Sequence, residues 1–125
     1  MAQENIEKKV ELAWLMAFYQ GVLTEKQREA LSMHCEEDMS LSEIAEETGV
    51  SRQSVHNMLQ HAADKLFSLE STLHMAKRFR FQQEGLETCL KLLEDPTSDH
   101  VKEARKTLET LIRWDQEDQE EHHGL

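Results

Sequence analysis

Proline and glycine are nearly absent from this chain, with one Pro and four Gly in 125 residues, and Val plus Ile number 8 against 31 Leu, Ala and Met. So few turn formers and β-branched residues exclude a sheet-based fold and leave an all-α one. Cysteine is equally scarce. Cys35 and Cys89 form no Cys-x-x-Cys pair, which excludes a disulfide scaffold and fits free thiols in a cytoplasmic protein. Long apolar runs are missing too. The longest, residues 12–19, is eight residues against the about 20 that a bilayer span requires, and no apolar signal segment is read at the start, so no membrane association is expected. Positive charge is in short supply: 14 Lys and Arg face 25 Asp and Glu, a net charge of -11. Diffuse attraction to phosphate backbones is thereby excluded over most of the surface, and any nucleic-acid contact must be local.

What is present reads as helices with clear punctuation. A first helix is expected to begin near a cap at Asn5 and run to Gln20, with Ile6, Val10, Ala13, Trp14 and Ala17 at helical spacing and Gly21 ending it. Thr24 with Gln27, and Ser40 with Glu43, have the spacing of capping boxes that open two further helices. Ala30, Leu31 and Cys35 face inward on the first of these, and Leu41, Ile44 and Ala45 on the second, which stops at Gly49. Ser51 caps the next helix, whose inner side is Val55, Met58, Leu59, Ala62 and Leu66. From Leu69 the positions Leu73, Ala76, Phe79, Leu86, Leu90 and Leu93 advance by threes and fours as one continuous seam. The break at residues 95–98 contains Pro96, and a last helix repeats the seam through Val101, Ala104, Leu108, Leu111 and Ile112. A short break between two long helices predicts an antiparallel hairpin. The expected organisation is a helix-turn-helix domain over 1–70, a helical hairpin over 71–118 for dimerisation or capping, and a flexible tail over 119–125, within an acidic stretch that starts at Asp115.

Residues 41–60 carry the classes of a helix-turn-helix in the required order: small Ala45 where two helices approach, Gly49 at the turn, and Val55 packing the second helix on the first. In that motif the second helix enters the major groove of double-stranded DNA and its first turns reach base edges and phosphates. Here the outward residues are Ser51, Arg52, Gln53, His56, Asn57 and Gln60. Arg forks onto guanine, Asn and Gln onto adenine, and Ser at a helix N-terminus suits a phosphate. Lys65 on the same helix, with Lys77, Arg78 and Arg80 further on, are candidate phosphate supports. A helix-turn-helix is also simply a compact way to pack three helices. Residues 1–70 hold 6 Lys and Arg against 13 Asp and Glu, with Glu36, Glu37, Asp38, Glu46 and Glu47 around the motif, so a lone module is expected to bind weakly.

The stretch LTEKQREALSMHCEEDMSLSEIAEETGVSRQSVHNMLQHAADKL, residues 23–66, resembles the fourth conserved region of bacterial sigma factors, which recognises the upstream promoter hexamer. FYQGVLTEKQ at 18–27, DMSLSEIAEE at 38–47 and VSRQSV at 50–55 are similar to the YlxM family of Gram-positive bacteria, small helix-turn-helix proteins whose genes commonly neighbour that of the signal recognition particle GTPase. The resemblance covers about residues 12–75 and implies a cytoplasmic homodimer. Its implied role is transcriptional regulation or, alternatively, an accessory function in protein targeting through the signal recognition particle GTPase or its RNA. After Val55 the chain departs from its relatives: His56 and Asn57 stand where they tend to carry Tyr-Asp, and Gln60 and His61 where they tend to carry Lys-Arg.

Other candidates read as structural. Lys77, Arg78, Phe79, Arg80 and Phe81 interleave cations with rings as a single-stranded RNA platform does, but Phe79 is expected to pack on the seam with the cations outside. His34 and Cys35 adjoin carboxylates without the paired spacing of a zinc site, and His122 with His123 lies in the tail. No phosphate loop, nucleophile elbow or triad is legible, so neither enzyme activity, metal nor cofactor is expected. Met16, Met33, Met39, Met58 and Met75 read as core filler. Residual exposed Leu, Phe and Trp114 on the hairpin favour pairing with a second copy.

Overall fold

A computed structural model describes the backbone of residues 2–123 and the side chains of residues 6–114. The described residues are helical, with no strand among them. They form α1 (Ala2–Tyr19), a 3-10 turn (Gln20–Val22), α2 (Glu25–Cys35), α3 (Leu41–Thr48), α4 (Arg52–Leu73), α5 (Met75–Leu93) and α6 (Ser98–His123). The chain divides into two compact units between Ala76 and Lys77.

In the first unit the two capping boxes form as spaced. Gln27 N–H donates to Thr24 Oγ1 at 3.1 Å while Thr24 N–H donates to Gln27 Oε1 at 3.0 Å, and Ser40 and Glu43 repeat the exchange at 3.1 and 3.3 Å. Each box supplies partners to amides that a helix start leaves open, which is why α2 and α3 begin where they do. The core is Leu12, Leu15, Met16 and Tyr19 of α1 against Ala30, Leu31, Ile44, Val55, Leu59, Ala62 and Leu66.

Four details of the first unit differ from the sequence reading. Asn5 lies inside α1, which starts upstream of it. The buried stripe of α1 is Leu12, Leu15, Met16 and Tyr19, while Ile6 and Val10 are 61% and 65% exposed and Ala17 is exposed. Spacing alone cannot choose between two overlapping stripes; contact with α2 and α4 does. The helix ends at Tyr19, and Gly21 sits in the 3-10 turn without a left-handed φ; Leu23 N–H closes that turn on Gln20 C=O at 3.1 Å and its side chain drops into the core. Finally, the expected continuous helix past Leu69 is interrupted at His74, whose φ of 53° is left-handed. The cause is distant in sequence: Met75 N–H donates to the Tyr19 hydroxyl and Ala76 N–H to Glu70 Oε1, each at 3.1 Å, so α5 starts on partners supplied by α1 and α4.

The second unit is an antiparallel hairpin. Phe81 stacks on Trp114 with centroids 4.6 Å apart, a Cβ on Gly85 would meet Leu111 Cδ2 at 2.7 Å, and Cys89 Sγ donates to Ala104 C=O at 3.4 Å, so positions rising on α5 meet positions falling on α6. Of the expected seam on the hairpin, Ala104 and Leu111 are buried and the other positions are not. Gly85, Cys89 and Ala104 are small enough to let the two backbones approach, and the larger Leu86, Leu90, Leu93, Val101, Leu108 and Ile112 remain 41–69% exposed. Phe79 is exposed as well, and Phe81 takes the packed place expected for it. Trp114 is half-buried. Thr97 Oγ1 accepts from His100 N–H at 3.2 Å to start α6. That helix extends to His123, and the side chains of His122 and His123 lie outside the described residues.

Candidate nucleic-acid interface

The turn between α3 and α4 rests on one backbone geometry. Gly49 adopts φ 74°, ψ 20°, the left-handed conformation that costs glycine nothing, and its N–H closes on Ala45 C=O at 2.9 Å. Ser51 then caps α4: its Oγ accepts from Ser54 N–H at 3.0 Å and donates to Ser54 Oγ at 2.9 Å. Val55 and Leu59 lock α4 onto the core, at 1% and 8% exposure. Ala45 is half-buried at the crossing.

With that face fixed, the opposite side of α4 is determined. Arg52, Gln53, His56, Asn57 and Gln60 are all exposed. At about 100° per residue they occupy an arc of about 140° along the first two and a half turns. Gln53 Nε2 donates to Asn57 Oδ1 at 3.1 Å, and Gln60 Nε2 donates to Asp64 Oδ1 at 3.0 Å. The first pair orients two amides side by side and uses the Asn57 oxygen, so what Asn57 retains is its amide N–H donors. Asp64 is a partner the motif reading overlooked, although Gln and Asp four apart on a helix are a recognised pairing. Arg52 makes no ion pair among the described residues. Ser51, by contrast, has its hydroxyl committed to the cap, so what it offers a phosphate is the capped helix terminus.

The candidate supports do not all join this arc. Lys65 is exposed on α4 but lies roughly a quarter-turn beyond the Asn57 edge. Lys77 and Arg80 are exposed and Arg78 half-buried on α5, in the second unit. Around the motif the exposed carboxylates Glu36, Glu37, Glu46 and Glu47 keep the field negative. Asp38 is engaged, receiving Lys9 Nζ at 2.7 Å, and that bond holds its carboxyl below the usual carboxylate range. Among the described residues no group of three or more His, Cys, Asp or Glu side chains could hold a metal ion. No described helix is long and apolar enough to cross a membrane.

Comparison with known proteins places this geometry. The family described as "Putative helix-turn-helix protein, YlxM / p13 like" matches residues 6–111. The chain belongs to this family. It is 34% identical to a UPF0122 protein of Bacillus pumilus over 111 residues, 89% of this chain and 99% of that one. It is 36% identical to one of Bacillus mycoides over 107 residues, 86% and 96% of the two chains. A UPF0122 protein of Mycoplasma capricolum is 34% identical over 109 residues, 87% and 92%. The family match continues to residue 111, well past the 12–75 stretch on which the resemblance is legible by motif, and takes in α5 and the first half of α6.

Proposed function

We propose that this protein binds double-stranded DNA through α4 and acts as a transcriptional regulator by binding alone. The observation that carries the reading is the exposed arc Arg52, Gln53, His56, Asn57 and Gln60 on a helix start fixed by the Gly49 turn and the Ser51 cap. Those side chains match base-edge chemistry, and a capped helix N-terminus suits a phosphate. The likeness to sigma factor region 4 supports the same placement of the second helix in a major groove. Lys65, Lys77, Arg78 and Arg80 are proposed as phosphate supports. Titration of a labelled duplex at rising salt tests this: affinity that falls steeply with salt and drops in Arg52→Ala and Asn57→Ala supports it, and indifference to both counts against it.

We further propose a cytoplasmic homodimer joined through the 71–118 hairpin. The exposed stripes Leu86, Leu90, Leu93 on α5 and Val101, Leu108, Ile112 on α6 favour a second copy. Two modules would also supply half-sites about 34 Å apart, which a weakly binding acidic module needs. Light scattering near twice the 14.6 kDa chain mass at tens of micromolar supports the dimer, and a value near one chain mass removes it.

A second reading is favoured by the net charge of -11 and the exposed Glu36, Glu37, Glu46 and Glu47. In it the protein is an accessory factor that meets the signal recognition particle GTPase or its RNA. Capture of that GTPase after nuclease treatment, unaffected by Arg52→Ala and Asn57→Ala, would establish it.

A further inference from the structure

Beside α4, inside the first unit, lies a cavity of about 430 Å³. That is within the range of about 300–1,000 Å³ typical of small-molecule sites. Its floor is apolar, because Leu12 of α1, Leu31 of α2 and Leu59 of α4 are buried beneath it. Ala63 helps to open the space: it is a small residue in a wall where the neighbouring inward positions Leu59 and Leu66 carry large side chains. Leu41 and Phe67 extend the apolar lining.

The edge of this cavity carries two lysines, against the overall charge of the chain. Lys8 and Lys9 line it from α1 and His56 from α4. Lys9 is paired with Asp38, and Lys8 is exposed with no ion pair among the described residues. The carboxylate in the wall, Asp64, is met by Gln60 Nε2. His34, also in the lining, keeps Nδ1 buried with no hydrogen-bond partner among the described residues. Burial, followed by the charge of Lys9, disfavours protonation of that ring.

We infer that this cavity binds a small amphiphile with one anionic head, of which a medium-chain carboxylate is the simplest. Its apolar chain lies on the leucine floor and Ala63, and its head sits at Lys8, beside the Lys9–Asp38 pair. A cationic head is opposed by Lys8, and a plain hydrocarbon leaves that lysine unmet. An occupant touches His56 and Gln60, so ligand and nucleic acid compete; that consequence rests on the α4 reading, whereas the site itself does not.

The test is calorimetric titration of the full chain with octanoate at millimolar concentration, without nucleic acid, accompanied by nuclear magnetic resonance of the leucine methyls and imidazoles. Saturable one-site binding is expected, with shifts centred on Leu12, His34 and Leu59. Lys8→Gln, an exposed change that does not disturb folding, should weaken octanoate by about two- to fivefold, as should replacing octanoate by octan-1-ol. Ala63→Met should fill the space and abolish binding while unfolding stays cooperative. The proposal is overturned by absence of saturable binding to the native chain. It is equally overturned if Lys8→Gln and octan-1-ol both bind with native affinity, or if a folded Ala63→Met binds as before.

Discussion

The Tyr19 hydroxyl donates to Glu70 Oε1 at 2.7 Å across 51 residues of sequence, and the two oxygens together receive the first amides of α5, from Met75 and Ala76. One phenol therefore ties α1 to the end of α4 and sets where the next helix starts. The bond involves a carboxylate, which places it among the stronger hydrogen bonds.

Tyr19→Phe removes that donor and leaves the Met75 amide without its acceptor. The expected loss is about 1–3 kcal/mol, read as a lower urea midpoint with an unchanged slope. The pH dependence has a definite sign. Burial, then the bond to Glu70, pushes the Tyr19 phenol up to about 12 from an unfolded value near 10. The folded state thus holds the proton longer, so stability falls as pH rises from about 10 through about 12. The phenylalanine variant should lose that component of the alkaline transition; an identical transition in both proteins would contradict the assignment.

Two glycines are predicted to fail for different reasons. Gly49 has open space around its missing Cβ but a φ of 74°, so Gly49→Ala should cost about 1–2 kcal/mol in backbone strain that no neighbouring substitution relieves. Gly85 has an ordinary backbone but Leu111 at 2.7 Å; Gly85→Ala should cost about 1–3 kcal/mol by overpacking. Combining it with Leu111→Ala should be strongly non-additive, and simple additivity in thermal unfolding would show that the two positions do not meet.

Mild acid should destabilise the first unit through His34. Its folded value lies below that of a free imidazole, burial being the larger cause and Lys9 the next. The unfolded chain therefore binds the proton first, and stability is lost as pH falls below about 6.5 and on through the folded value. His34→Gln should flatten the stability profile over that window, measured by urea midpoints between pH 7.5 and 5 at steps of about half a unit.

Cys35 should be unreactive while folded. Burial pushes its thiol up to about 11, so little thiolate exists near neutrality. Alkylation by iodoacetamide at pH 7.5 should be about a hundredfold slower than in urea; equal rates would mean that the side chain is open to solvent.

How much of this was legible in the chain follows from distance along it. Capping exchanges between Thr24 and Gln27 or Ser40 and Glu43, the Gly49 turn and the Ser51 cap are all made within three or four residues, and spacing reveals them. The exposure of Arg52, Gln53, His56, Asn57 and Gln60 follows from the burial of Val55 and Leu59 on the same helix. The break at His74 was not legible because Tyr19 makes it from another helix. On the hairpin, periodicity finds the inner Ala104 and Leu111 but favours large apolar residues over Gly85 and Cys89, which take their places against α6 by being small. The cavity under Lys8 and His34 needs four helices to exist, and no window of sequence contains them.

The central claim is that α4 reads double-stranded DNA. Its most direct test is in vitro selection from a random duplex pool at about 100 mM salt, where weak non-specific attraction does not dominate, run in parallel on the native chain and on Arg52→Ala combined with Asn57→Ala. Convergence of the native protein on one motif, with two half-sites a helical turn apart and no convergence in the double variant, is the predicted result. A native protein that enriches nothing, or a double variant that enriches the same motif, would contradict it.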